Sequence, residues 1–246
     1  MTARGVTIIF SPYHVGIRDH RVGNGPHRIR QLGVVNALEG LGITVHTKEL
    51  DPVDNFEGEI GAGVACGLQL PDLQFIYFDA HDDLDSPDVS ENGYFDAMGL
   101  SMLRGESWKT LMQTVPGYRP FSYDGRFLYC GLRDQSDLQR QRVIAAGMTS
   151  IWGETNPALV HLDLHVLDDS YGKVNDYPSP GGLFEDELLA CMGLVPLKAT
   201  PKSLTICSFD PNAGDGDKIA KIAIRAVVSF FCGLIDTGVL AASKDT

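Results

Sequence analysis

The stretch Phe75-Ile76-Tyr77-Phe78-Asp79-Ala80-His81-Asp82-Asp83 decides the fold. Four apolar, β-prone residues run without a polar interruption, the pattern of a strand buried on both faces, and the run ends abruptly in acids and a histidine. In open α/β sheets, ligands bind at the carboxyl ends of strands. Asp79, His81 and Asp83 alternate with Ala80 and Asp82, so one more pleat of extended chain would send all three side chains from the same face. Two carboxylates and an imidazole converging there would suit a divalent metal ion. The same residues also read as a plain strand-to-loop junction with a capping aspartate.

A second stretch favours the metal. In Ala158-Leu159-Val160-His161-Leu162-Asp163-Leu164-His165-Val166-Leu167-Asp168, the residues His161, Asp163 and His165 alternate with Leu162, Leu164 and Val166. One strand face is polar and the other apolar. Three ionisable groups on one face need partners, because buried charge without a partner neutralises or destabilises. An ion shared between the two stretches would be such a partner. His161, further inside the strand, reads as a satisfied sheet-face residue rather than a ligand.

These residues resemble the ureohydrolases of the arginase, agmatinase and formimidoylglutamase group. Their Asp-Ala-His-x-Asp motif is matched by Asp79 to Asp83, and their Asp-x-Asp-x-x-Asp motif is matched in part by Asp163 to Asp168. Leu128-Tyr129-Cys130-Gly131-Leu132-Arg133-Asp134 is similar to a strand of the family ending in Gly-Leu-Arg-Asp, and Pro180-Gly181-Gly182-Leu183 to its Gly-Gly-Leu helix entry. The likeness runs from about Gly5 to the last long helix.

The resemblance implies a three-layer α/β/α sandwich with a mainly parallel sheet, an architecture shared with deacetylases. It implies a metal-dependent hydrolase of a linear C–N bond in a guanidino, amidino or formimino compound. Asp79, His81, Asp83 and Asp163 match metal-ligand positions of the family, whose ion is Mn²⁺. His165 stands where the family has an aspartate ligand. An imidazole in place of a bidentate carboxylate shifts preference toward Zn²⁺, Fe²⁺ or Ni²⁺. By the same resemblance Asp83 also accepts a hydrogen bond from the attacking hydroxide, and Asp96 stands, by spacing, where the family has a proton-shuttling histidine. Ser208 stands where the family has a glutamate that holds the guanidinium, and a hydroxyl cannot supply that charge. Asp210, two residues on, is either its replacement or a turn cap before Pro211. These departures keep two other readings open: a ureohydrolase-like binding or scaffold protein without turnover, and a one-metal amidohydrolase.

Composition narrows the class. The chain has 246 residues, 43% of them hydrophobic, enough for one α/β domain spanning 1–246. A formal net charge of -12, with no basic run, disfavours nucleic acid and anionic membranes and suits a small cationic substrate. Five scattered cysteines without a C-x-x-C pair fit reduced thiols in the cytoplasm. No stretch is long and apolar enough to span a bilayer. Self-association is left open.

Along the chain, 6–10 reads as a strand, 26–39 as one amphipathic helix and 44–50 as the next strand, the parallel-sheet pattern. From Asp51 to Gly67 the pattern fails. There the resembled family carries a helix and a strand ending in Gly-Gly-Asp-His-Ser, whose histidine ligates metal, and nothing between Leu50 and Phe75 matches it. The expectation is an internal loss of about one strand-and-helix unit, roughly 30 residues. Further on, 93–105, 137–146, 185–194 and 217–234 read as helices. The segments 126–130, 150–152 and 203–209 read as strands. Leu138, Val143 and Ile144 are expected to face the core.

Overall fold

The computed structural model describes residues 2–14, 17–50, 73–90, 93, 96–115, 117–148 and 157–242, the side chain of Asp96 apart. Alternation along β5 (Gln74–Phe78) sorts its side chains onto two sheet faces, and each face meets its own layer of helix, which is why the run is apolar throughout. β5 lies between β6 (Phe127–Cys130) and β7 (Pro157–Asp163), and β7 continues to β8 (Thr200–Cys207), all parallel, in the order β6-β5-β7-β8. The register sets Tyr77 beside His161, Phe78 beside Leu162, and Asp163 beside Cys207.

On one face Ile76, Phe78, Val160 and Leu162 pack with Leu188, Met192 and Val195 of α6 (Glu185–Lys198) and with Ile222, Ala226 and Phe230 of α7 (Gly216–Asp236). On the other face Phe75, Tyr77 and Phe127 meet Leu100 of α3 (Gly99–Leu103), Tyr123, and Val143 of α5 (Asp137–Ala145). This is the three-layer α/β/α arrangement with a mainly parallel sheet. A separate parallel pair, β1 (Gly5–Phe10) with β4 (Thr44–Glu49), is joined through α1 (Gly25–Gln31) and α2 (Val34–Glu39). A short antiparallel hairpin joins β2 (Tyr13–His14) to β3 (Ile17–Arg18).

Local structure departs from expectation where a single residue decides. The helix expected over 26–39 is two helices, because Gly33 takes φ 95, a left-handed conformation that favours glycine and ends the first run. Over 93–105 a tight turn, Asp96–Met98, precedes α3. Helix α5 forms as expected on a capping box between Ser136 and Gln139. Leu138 (50% exposed) and Ile144 (66% exposed), however, face outward, and Val143 with Ala146 makes the core contact. The strand expected over 150–152 and the shortened stretch between Leu50 and Phe75 lie outside the described residues, apart from Leu73 and Gln74.

Candidate metal centre

Both acidic motifs start at a strand end and fold the same way. Strand β5 stops at Phe78 and Asp79 turns back, its Oδ1 accepting the His81 backbone N–H at 3.0 Å. Strand β7 stops at Asp163, whose Oδ1 accepts the His165 N–H at 2.7 Å and caps the turn Leu164–Val166. A short acidic side chain closing on the backbone two residues ahead competes with the strand ladder. The extended pleat expected through His81 and His165 is therefore replaced by two tight turns. Asp79 and Asp163, which follow the paired Phe78 and Leu162, remain side by side at the carboxyl ends of β5 and β7.

Asp83 returns to the same place by another route. It takes φ 50, and Ser208 takes φ 62, a left-handed backbone that costs a non-glycine residue about 1 kcal/mol or more and concentrates at functional sites. The Tyr77 hydroxyl donates to Asp83 Oδ2 at 3.0 Å. The Tyr77 ring lies flat on His161, with centroids 3.8 Å apart. His161 Nε2 stands 3.9 Å from Asp79 Oδ2 and 3.3 Å from Cys207 Sγ. Cys207 Sγ is 3.6 Å from Asp163 Oδ2, which also accepts the Ser208 hydroxyl.

The two histidines named from the motifs are engaged elsewhere. His81 has Nε2 3.1 Å from Ser179 Oγ and 3.5 Å from Asp134, and its Nδ1 is 3.4 Å from Asp79 Oδ1. His165 Nε2 meets Asn175 Oδ1 at 2.9 Å, and its Nδ1 lies 3.0 Å from Asp163 Oδ1. Their rings stand edge to face, 5.1 Å apart. Among the described residues, the groups with donor atoms mutually close enough to share an ion are Asp79, Asp83 and His161, and His161, Asp163 and Cys207. His81 and His165 flank these groups rather than joining them. The turn that contains Asp96 and the helix after it are tied to the site wall, since the Asp85 N–H donates to Ala97 O and the Leu100 N–H to Asp83 O. The Asp96 side chain lies outside the described residues. Asp210 Oδ1 accepts the Asn212 N–H at 2.9 Å, the turn-capping arrangement.

Arg133 holds the rim. Its guanidinium donates to the carbonyls of Gly131 (3.0 Å), His165 (2.8 Å), Leu167 (3.3 Å), Ser179 (2.9 Å) and Pro180 (3.0 Å). The loop carrying His165 and the loop carrying Ser179 are thus tied through one side chain. Asp82, whose carboxylate accepts from Leu84 N–H and Gln135 Nε2, serves the turn.

Electrostatics mark the site as unbalanced without a cation. Burial, then the neighbouring Asp163, raises the Asp79 carboxyl well above its ordinary range. Asp83 is raised in the same direction by burial, Asp79 and Asp163. Asp163 goes the other way: burial alone would raise it, but His165, His161 and the Ser208 hydroxyl hold it below the carboxylate range. His161 is pushed down to about 4 by burial, so it is a neutral imidazole. Asp79 Oδ2 is wholly buried and has no hydrogen-bond partner. An unpaired buried carboxylate oxygen beside a second carboxylate is costly unless a cation stands against it. The donor set fits a divalent cation.

Fold and site together define the class: an α/β/α protein of the arginase fold, with paired aspartates at the carboxyl ends of adjacent parallel strands. Its structure is similar to arginase from Bacillus cereus (TM-score 0.78, 18% identity, 93% of this chain and 98% of that one). It is similar also to formimidoylglutamase from Bacillus subtilis (TM-score 0.66, 17% identity, 95% of this chain and 88% of that one). In sequence it is 22% identical over 292 residues to hepatic arginase of Aquarana catesbeiana, covering 91% of this chain and 90% of the relative. No family model matches. The resemblance to ureohydrolases read from the motifs thus holds at the level of fold. Among the described residues no helix is long and apolar enough to cross a membrane.

His161 and Cys207 were not singled out as ligands from sequence. The available signal was position: His161 lies two residues before Asp163 on the same strand face, and Cys207 ends the next apolar strand.

Proposed function

We propose that the chain is a metal-dependent hydrolase of a linear C–N bond in a small, cationic guanidino, amidino or formimino compound. The observation that carries this reading is the unpartnered, buried Oδ2 of Asp79 beside Asp163, at the carboxyl ends of parallel strands, where open α/β sheets bind ligands. Asp79 and Asp83 would hold the ion, with Asp163 beside them at the end of β7 and His81 and His165 flanking the site. When bound, a divalent ion lowers the pKa of a water and polarises the carbon attacked. Asp83, held by Tyr77, would also accept a hydrogen bond from the attacking hydroxide, and Asp96, whose turn bonds Asp85 through Ala97, would be the group that passes a proton to the leaving amine. Water adds to the carbon, the C–N bond breaks, and the amine leaves protonated.

The test is turnover of arginine, an amidine and a formimino amino acid, with divalent cation present and with chelator. Release of urea, ammonia or formamide by the wild type, abolished in Asp83→Asn, is expected. Equal rates in Asp83→Asn and wild type, or no turnover of any of the three, would contradict it.

A further inference from the structure

We propose that His161 Nε2, Cys207 Sγ and Asp163 form a nitrogen, sulfur and oxygen site for a borderline divalent cation of the Zn²⁺ or Co²⁺ type, beside the unpartnered Oδ2 of Asp79. This deepens the metal reading above and rests on it, since Asp163 belongs to both. Three observations carry it independently of the motif histidines.

The first is spacing. Tetrahedral coordination, with metal–sulfur near 2.3 Å and metal–nitrogen or –oxygen near 2.1 Å, puts neighbouring donor atoms about 3.4 to 3.6 Å apart. Cys207 Sγ lies 3.3 Å from His161 Nε2 and 3.6 Å from Asp163 Oδ2, while Asp79 Oδ2, 3.9 Å from His161 Nε2, stands just outside this donor set. The second is the orphan. Asp79 Oδ2 is wholly buried, has no hydrogen-bond partner and faces His161. The third is rigidity. His161 is clamped flat against Tyr77, and Cys207 is fixed by its strand pairing with Asp163. A pre-set donor geometry of this kind lies on strands rather than loops, where placement is most precise.

Chemistry then selects the ion. A thiolate and an imidazole favour Zn²⁺, Co²⁺ or Fe²⁺ over hard Mn²⁺ or Mg²⁺, which prefer all-oxygen sites. His161 offers one nitrogen and serves one ion, so this triad and the group of Asp79, Asp83 and His161 are alternative sites rather than two filled at once.

Co²⁺ alone is the probe, added to the full chain after chelator treatment and followed by absorption, with bound metal measured after gel filtration. The expected result is a thiolate-to-cobalt charge-transfer band in the near ultraviolet together with intense visible bands of four-coordinate Co²⁺. Cys207→Ser should lose the charge-transfer band and weaken Co²⁺ binding by about tenfold or more while still binding it. Cys130→Ser, which alters a thiol on another strand, should keep the band. Stoichiometric Co²⁺ without a charge-transfer band, or a band that persists in Cys207→Ser, overturns the assignment and leaves the aspartate reading standing. A wild-type chain that binds no Co²⁺ overturns both.

Discussion

Asp79 carries a buried oxygen with nothing to bind, next to a second carboxylate, and a single substitution isolates that imbalance. Asparagine keeps the shape and the Oδ1 bond to His81 N–H while removing the charge. In chelator, Asp79→Asn is expected to be as stable as the wild type or more stable by about 1 kcal/mol, because it relieves the burial cost and the like-charge crowding against Asp163. With divalent cation added, the wild type should gain stability and the variant should not. Urea unfolding in both conditions reads the difference. Arg133 behaves oppositely. It serves backbone carbonyls on two loops, so Arg133→Ala leaves several of them without a donor. A loss of about 1.5 to 3 kcal/mol is expected, with faster amide exchange across 165–183 than elsewhere. Lysine, a point donor rather than a planar fork, should recover little.

Elements pack closely where side chains are smallest. Helices α6 and α7 approach at Gly193 and Gly233, and a methyl group on Gly233 would meet the Gly193 carbonyl oxygen at 2.8 Å. The Ser229 hydroxyl bonds the Leu189 carbonyl across the same contact at 2.7 Å. Gly233→Ala must push the helices apart. Overpacking of this kind costs about 1 to 3 kcal/mol, so a lowered thermal midpoint without loss of helical circular dichroism is expected. On the other sheet face Tyr123 is fully buried and donates to the Leu100 carbonyl at 3.2 Å. Burial raises its phenol well above the ordinary value, so the folded chain holds the proton longer than the unfolded chain. Its contribution is intact below about pH 10 and falls as pH rises past the unfolded value. Tyr123→Phe should lose stability at neutral pH but show a shallower alkaline decline, checked by urea midpoints at neutral and alkaline pH.

Across the whole molecule, what sequence could show divides along the range of the interactions. The apolar run 75–78, ending in acids, announced a buried parallel strand with a site at its end, because both features are local. So was the second motif at Asp163. The turns at His81 and His165 were not legible from alternation, since each depends on an aspartate choosing its backbone over the next pleat. The placement of His161 and Cys207 is set by register between strands far apart in sequence, Tyr77 with His161 and Asp163 with Cys207, which no local pattern encodes. Leu138 and Ile144 fit a helical face, yet α5 meets the sheet through Val143, so they stay in water. The proposed function turns on a divalent ion held at the strand ends that carry Asp79 and Asp163. Metal content after equilibrium dialysis against Mn²⁺, Zn²⁺ and Co²⁺, for wild type and Asp79→Ala, measures it. The account predicts about one tightly held equivalent per wild-type chain and none in Asp79→Ala that keeps its circular dichroism. A folded Asp79→Ala holding as much metal as wild type, or a wild-type chain holding none, would contradict it.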